Sequence, residues 1–129
     1  MLAKIHRVRV AGDFSRTVRS GARSGRRNVV LYASRRALDE PTRCGFIVGK
    51  NVGNAVTRNL VKRRLRAAAA AFISRNPAGM DLVVRALPAS ALAGWNDLSR
   101  DFEKAAAGAV RRLGPEDDGR TGNEGGAAS

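Results

Sequence analysis

The sequence predicts an α+β fold in which helices pack against a single small β-sheet. Its 129 residues suffice for one compact domain but are too few for two ordinary ones. Short apolar runs rich in β-branched residues alternate with longer segments of helical periodicity. The predicted order is α-β-β-α-β-α, with room for one extra short strand. Such an order is typical of one sheet with helices packed against it.

The first predicted elements are an arm and a short helix. Residues 1–12 are basic and weakly patterned, which predicts an extended arm. Asp13 can cap a helix in which Phe14 and Val18 share one face, and Gly21 is a natural end for it.

Two strands are predicted next. Residues 29–33 and 44–48 are short apolar runs, and residues 35–42 between them contain Asp-Glu-Pro and predict a turn. Residues 20–27 are a connector rich in Arg, Ser and Gly. Because the two strands are close in sequence, we expect them to pair as a hairpin.

The second half is predicted to contain a long helix, a third strand and a last helix. Asn54 can cap the long helix, which should end near Arg75, before an Asn-Pro pair. The third strand spans residues 82–86. With the second strand and the long helix it forms a β-α-β unit, whose usual hand would be right if its strands are parallel neighbours.

The last helix should span roughly residues 91–112. Its apolar residues recur at helical spacing and predict a core-facing stripe in which Trp95 is packing rather than a ligand platform. The stripe consists of Leu92, Trp95, Leu98, Phe102, Ala106 and Val110. Residues 1–113 are therefore predicted to be one domain, and residues 114–129 a disordered tail of Gly, acidic and small residues.

The charge of the chain is strongly positive. Twenty-four Lys and Arg against eleven Asp and Glu give a formal net charge of +13. Residues 1–66 hold 17 basic and 3 acidic residues, a net of +14, whereas residues 67–129 are close to neutral. Such charge favours a polyanionic partner, because neutralised phosphates release counterions. We expect the polyanion-binding surface in the first half.

Several function classes are disfavoured by composition. Cys44 is the only cysteine and is expected to be a small buried hydrophobe, and His6 is the only histidine. We therefore expect no metal site and no catalytic residue in the chain. No apolar stretch is as long as a membrane span, and no signal peptide is recognisable, so a soluble cytoplasmic protein is expected.

The long helix is predicted to have a packed face and a basic face. At 100° per residue, its apolar residues fall on one side: Val61, Leu65, Ala68, Ala69 and Phe72. Away from them lie the candidate nucleic-acid contacts: Asn59, Lys62, Arg63 and Arg66, flanked by Arg58 and Arg64. Two further features favour phosphate binding: the positive helix N-terminus and the glycine-flanked loop that carries Lys50.

Three interpretations of this helix are possible. A solvated face ordinarily mixes acids with bases, but no acidic residue occurs between Glu40 and Asp81. A membrane-surface helix would need bulky insertion residues, whereas this apolar face is rich in Ala. RNA or DNA binding is favoured. Phe14 and Tyr32 could stack on single-stranded bases or belong to the core, and Phe46 is better explained by the core.

At residues 46–66 the sequence, FIVGKNVGNAVTRNLVKRRLR, resembles the core of the bacterial ribonuclease P protein family. Further similar segments lie in the same order along the chain, so the resemblance spans about residues 1–113. It implies a left-handed β-α-β crossover around the long helix, in place of the usual hand. It also implies that the chain is a noncatalytic subunit of an endoribonuclease. That enzyme removes the 5′ leader from precursor tRNA by hydrolysis, and its RNA subunit carries the Mg²⁺-dependent chemistry.

The resemblance also implies roles for individual residues. Its arginine-rich motif, which contacts the catalytic RNA, matches Arg58, Asn59, Lys62, Arg63 and Arg66. The positions around the leader-binding cleft match Phe14, Tyr32 and Lys50, with Val18 where a second aromatic is common. Leu60 departs from the usual Arg-Asn-Arg, and Asn51 stands where a second Lys is frequent.

The implied partners are ribonuclease P RNA and precursor tRNA, with no membrane and no small-molecule substrate. Two alternatives are left open by charge and fold alone. One is a generic ribosomal-type RNA-binding protein, and the other is an enzyme that acts on nucleic acid unaided, which the missing catalytic cluster disfavours.

Overall fold

The secondary structure confirms an α+β protein. The computed structural model describes residues 3–8 and 11–114. Two 3₁₀ helices lie at Lys4–His6 and Pro88–Leu92. The α-helices are α1 (Ala11–Ser20), α2 (Ala55–Arg75) and α3 (Trp95–Leu113). The strands are β1 (Ala22–Gly25), β2 (Val29–Arg35), β3 (Arg43–Ile47) and β4 (Met80–Ala86). The extra short strand for which the predicted order left room is β1.

The four strands form one mixed sheet in the order β1-β2-β4-β3. The predicted hairpin between β2 and β3 is wrong, because β4 lies between them, antiparallel to β2 and parallel to β3. Every residue of β4 except Arg85 is buried. A strand with apolar residues on both faces is buried only where both faces of the sheet are covered, which explains the central position of β4. The predicted β-α-β unit does have parallel neighbouring strands, and the hand of its crossover stays a prediction.

Residues 20–27, predicted as a connector, instead contain the edge strand β1. It pairs antiparallel with β2, and the Arg26 amide closes the turn by donating to the Val29 carbonyl at 2.8 Å. Its Ser24 is buried beneath α3, where a Cβ on Gly108 would lie 2.5 Å from the Ser24 Oγ. Close helix packing therefore stabilises a strand that lacks the usual β-branched residues.

Helix α2 follows the prediction closely. The Asn54 side chain accepts a hydrogen bond from the Thr57 amide at 2.9 Å, and the helix ends at Arg75. Its predicted seam residues, including Leu65 and Phe72, are all buried. This seam packs with α3 over one face of the sheet, and α1 packs on the opposite face.

The start of α3 differs from the prediction. A 3₁₀ turn ends at Leu92 and the helix begins only at Trp95, so the helical spacing does not extend back through both residues. Leu92 is 94% exposed and Trp95 is 43% exposed, and their predicted place in the core is wrong. Farther along, Leu98 and Phe102 are buried as predicted, and Phe102 meets Phe72 edge-on with ring centroids 6.4 Å apart.

Residues 3–8 lie against the sheet, and the 3₁₀ helix Lys4–His6 interrupts the predicted extended arm. The Val8 amide donates to the carbonyl of Cys44 in β3 at 3.2 Å. Helix α1 begins at Ala11, so Asp13 lies in its first turn. The prediction that Asp13 is the N-cap is therefore wrong. At the other end, Gly114 follows α3 with a φ of 82°, and the rest of the predicted disordered tail lies outside the described residues.

Candidate nucleic-acid interface

The outward side of α2 carries a row of cationic and amide side chains, which we call the basic face. It consists of Arg58, Asn59, Lys62, Arg63 and Arg66. Asn59 and Arg63 are exposed, whereas the other three are half-buried along its flanks. The seam residues are drawn into the core, and the 3.6-residue periodicity then turns these polar positions toward solvent.

Most of the basic face has no partner within the described part of the chain. There, Asn59, Lys62, Arg63 and Arg66 make no hydrogen bond or ion pair through their side chains. Three neighbouring cations without a carboxylate repel one another and attract a polyanion. This unpaired charge is the feature of α2 that favours nucleic acid over a merely solvated face.

Arg58 and Arg64 each make one contact with the protein. The Arg58 Nε donates to the Gly53 carbonyl at 3.1 Å, which ties the preceding loop to the helix start. The Arg64 Nη1 donates to the Ala93 carbonyl at 2.9 Å, toward the junction with α3. Arg64 therefore lies on the side of α2 that faces α3, apart from the basic face. Because a guanidinium has five N–H donors, both side chains keep donors for a ligand.

The loop of residues 49–53 leads from β3 into α2. Val52 is buried and anchors the loop, while Lys50 is exposed at its tip. Two turn hydrogen bonds, from Val52 to Gly49 and from Gly53 to Lys50, hold the backbone at 3.1 and 3.2 Å. Lys50 is thus presented on a fixed loop beside the positive end of the helix dipole.

A second candidate surface is the sheet face that α1 partly covers. Four residues lie side by side in one register row across the four strands: Arg23, Tyr32, Val83 and Gly45. Residues in one row point to the same face, so we call this surface the α1-side face. Tyr32 and Gly45 are separated by the single strand β4, roughly 10 Å.

Phe14 of α1 packs directly on this row. A Cβ on Gly45 would lie 2.5 Å from the Phe14 Cε1, so the ring occupies the place that any larger residue would need. Phe14, Val18 and Tyr32, which the sequence assigned to one site, are all half-buried and belong to α1 and the face it covers. Lys50 lies three residues beyond the end of β3 and is not part of the row.

Two arginines on the same face were missed from the sequence. Arg23 is the neighbour of Tyr32 in the register, and Arg85 lies two residues after Val83, which places both on the α1-side face. Both are exposed. The alternation in residues 82–86 could have identified Arg85, whereas Arg23 lay in a segment without strand signals.

A buried ion-pair network holds α1 on the sheet. Asp81 is fully buried and accepts two 2.8 Å hydrogen bonds from Arg43, with Arg16 and Arg36 at 3.5 and 3.6 Å. Asp13 of α1 pairs with Arg16 at 3.0 Å and with Arg43 at 3.3 Å. The hydrogen bond to Asp81 and the two carboxylate charges raise the pKa of Arg43, partly offset by its burial. Both carboxylates are thus neutralised by arginines.

Nucleophiles and metal ligands are sparse in the described chain. Burial raises the pKa of the Cys44 thiol, which keeps it protonated, and the His6 Nδ1 lies 2.6 Å from the Thr42 carbonyl oxygen. Across residues 3–8 and 11–114, no three His, Cys, Asp or Glu side chains come together as a metal site. None of the described helices is long and apolar enough to cross a membrane.

Comparisons with known proteins identify the family of the chain. A family model described as Ribonuclease P matches residues 2–110. The chain is 58% identical over 113 residues to the ribonuclease P protein component of Pseudarthrobacter chlorophenolicus, covering 88% of this chain and 83% of that protein. It is also 58% identical over 112 residues to the component of Kocuria rhizophila, covering 87% and 98% respectively.

A solved structure of the RNase P protein from Staphylococcus aureus is similar as well. It superposes with a TM-score of 0.72 at 26% identity, covering 81% of this chain and 94% of that one.

Proposed function

The chain belongs to the ribonuclease P protein family and is a ribonuclease P protein subunit, and we propose that it binds ribonuclease P RNA through the basic face of α2. The observation that supports this proposal is that four of the five side chains on that face have no partner among the described residues. A helix presenting unpaired Lys and Arg can follow a phosphate backbone, since each contact releases counterions. The planar guanidinium groups of Arg63 and Arg66 also suit bidentate phosphate contacts.

We propose that the α1-side face binds the 5′ leader of precursor tRNA. Phe14 and Tyr32 offer aromatic surfaces near the register row, and unpaired bases stack on such side chains. Arg23 and Arg85 supply exposed positive charge beside them for the phosphates. Lys50, at the tip of the loop that follows β3, would contact the phosphates of the same RNA leader. Val18 would add an apolar contact.

The hydrolytic chemistry is proposed to reside in the RNA subunit, with this chain as an accessory subunit. Asp13 and Asp81 come close to the same arginine, but three arginines occupy the carboxylates that Mg²⁺ would need. This pair of carboxylates therefore does not fit a metal site, and we assign the Mg²⁺ of the holoenzyme to the RNA. The holoenzyme acts as an endoribonuclease that matures the tRNA 5′ end.

We further propose that residues 1–113 act as one RNA-binding domain in the cytoplasm. The register row and the basic face lie on elements of one sheet and its helices, so they form a single unit. A cytoplasmic location follows from the proposed partners, ribonuclease P RNA and precursor tRNA. No small-molecule substrate is required.

A reconstituted cleavage assay tests this function. A bacterial ribonuclease P RNA is incubated with precursor tRNA at low Mg²⁺, with and without the chain. We expect no cleavage by the chain alone and faster cleavage by the RNA when the chain is added. Binding of many RNAs without stimulation would indicate a generic RNA-binding protein. Cleavage by the chain alone would contradict the accessory role.

A further inference from the structure

An apolar corner lies next to the basic face of α2. Five large hydrophobic side chains are exposed among the described residues, and three of them occur here: Leu92 at 94%, Val56 at 78% and Trp95 at 43%. Half-buried Leu60 completes the corner. A concentration of exposed apolar side chains in one place is unusual for a soluble surface and marks a contact site.

Two segments are joined at this corner. Val56, Leu60 and Arg64 are spaced four residues apart on α2 and share one face of the helix. The Arg64 Nη1 bonds the carbonyl of Ala93, which follows Leu92 and lies two residues before Trp95. This bond places the start of α3 beside the Leu60 side of α2. Helix α2 also contacts the 3₁₀ helix that ends at Leu92, so the exposed apolar residues of the two segments lie at the same end of α2.

A cleft of about 390 Å³ continues the surface beyond Leu92. Its charged walls come from the β1–β2 turn and α3. Its charged residues are two arginines and two aspartates. Asp101 accepts two hydrogen bonds from Asn28, and Asp97 pairs with Arg100 at 3.2 Å. Arg27, on the opposite wall, has no hydrogen-bond or ion-pair partner within the described chain. The apolar corner thus lies between two unpaired cations, Arg63 of the basic face and Arg27.

We propose that the apolar corner binds an unpaired nucleobase of the RNA that α2 contacts, with the base stacked on Trp95 and packed against Leu92. This inference rests on the proposed function and extends its interface. A nucleotide combines a flat apolar base with an anionic phosphate, which matches an apolar surface between Arg63 and Arg27. The indole N–H of Trp95, without a partner among the described residues, is free to donate to the nucleotide.

A second copy of the chain fits this corner less well. In a two-fold symmetric contact the same surface patch is presented by both subunits. The basic face that adjoins the corner in each copy would then be brought toward the other copy, and like charges oppose such an association. An RNA strand brings the opposite charge to the same positions. Charge complementarity therefore selects RNA as the occupant.

Trp95 is the only tryptophan of the chain, so its fluorescence reports on this corner alone. The full chain is titrated with a bacterial ribonuclease P RNA transcript, and with a fully paired RNA duplex as the control probe. We expect the transcript to quench Trp95 and to protect it from acrylamide, while the duplex does neither. Unchanged acrylamide access in the RNA-bound chain would overturn the proposal. Protection that depends on protein concentration without RNA would overturn it in favour of self-association.

Two variants separate stacking from charge. Trp95→Ala should weaken binding to the transcript roughly 5- to 150-fold, the usual loss for one stacked base, with an unchanged dependence of affinity on salt. Leu92→Ala, at a side chain that is almost fully exposed, should weaken binding in the same way without affecting folding. The matched control is Leu38→Ala, an apolar side chain 52% exposed in the β2–β3 turn, which should bind normally.

The outcomes distinguish this inference from the proposed function. If the unmodified chain does not bind ribonuclease P RNA, the proposed function fails together with this inference. If it binds and stimulates cleavage, but Leu92→Ala and Trp95→Ala bind as tightly as Leu38→Ala, only the apolar corner is wrong.

Discussion

Replacing Asp81 with Ala should loosen α1 from the sheet, because Asp81 joins side chains from three parts of the chain. It is fully buried and is reached by Arg16 of α1, Arg36 after β2 and Arg43 of β3. Removing its carboxylate leaves Arg36 and Arg43, which are only 16% and 18% exposed, without their shared counter-charge. The substitution therefore leaves two largely buried guanidinium groups with less compensating charge, which costs more than the loss of a surface contact.

The expected destabilisation follows from the remaining contacts. Breaking a buried ion pair by removing one partner costs about 3–5 kcal/mol. Asp13 stays 3.3 Å from Arg43, and Arg36 keeps its ion pair with Glu40 at 3.6 Å and its hydrogen bond to the Pro41 carbonyl, so part of the network persists. We expect Asp81→Ala to lower the free energy of unfolding by about 3 kcal/mol, the lower end of that range.

Urea unfolding followed by circular dichroism measures this change. The control is Glu103→Ala, which removes a pair with Arg75 in which the side chains are 38% and 55% exposed. Exposed pairs contribute little, so the control should lose less than about 1 kcal/mol. Equal losses for the two variants would refute the reasoning that burial makes the Asp81 network important.

Three further predictions concern neighbouring positions. Gly45→Ala should lower the free energy of unfolding, measured in urea, by about 1–3 kcal/mol, because its Cβ would lie 2.5 Å from the Phe14 ring. The control is Gly12→Ala, whose Cβ would meet nothing within 4 Å and which should not show this overpacking loss. Cys44 is buried and the pKa of its thiol is raised, so a disulfide reagent at pH 8 should label it only in denaturant; rapid labelling of the folded chain would contradict its burial. Tyr32→Ala should weaken holoenzyme affinity for precursor tRNA more than for mature tRNA, and equal losses would assign Tyr32 to the core.

The sequence predicted the elements with strong local signals. The Asn54 cap, the Asn-Pro end of α2 and the apolar seam through Leu65 are all encoded within a few residues of one another, and each lies where expected. The strand β1 was missed because Arg23, Ser24 and Gly25 have low strand propensity, and its stability comes from β2 and α3.

The main error in the predicted fold concerns which strands pair with each other. Proximity in sequence favoured a β2–β3 hairpin, yet β4, which lies more than 30 residues farther along the chain, pairs with both strands. The sequence shows that β4 is almost entirely apolar, but it does not show which strands pair with β4. Leu92 and Trp95 were misplaced for a related reason, since a helical wheel assumes one continuous helix and the chain changes conformation between them.

The two candidate sites also differ in how far the sequence predicts them. The basic face of α2 could be predicted, because helical periodicity alone relates Asn59, Lys62, Arg63 and Arg66. The α1-side face could be predicted only in part, because its row joins residues from four strands. Arg23 becomes a neighbour of Tyr32 only through the sheet register, and the Asp81 network likewise depends on contacts distant in sequence.

The salt dependence of RNA affinity tests most directly whether the basic face of α2 is the RNA interface. The slope of log K against log salt is measured for the unmodified chain, for Arg63→Ala and for Arg75→Ala, with a bacterial ribonuclease P RNA. Arg75 lies in the last turn of the same helix and is paired with Glu103. Arg63→Ala should reduce the slope by about one phosphate contact, and Arg75→Ala should leave it unchanged. An unchanged slope for Arg63→Ala, or equal reductions for both variants, would contradict the assignment.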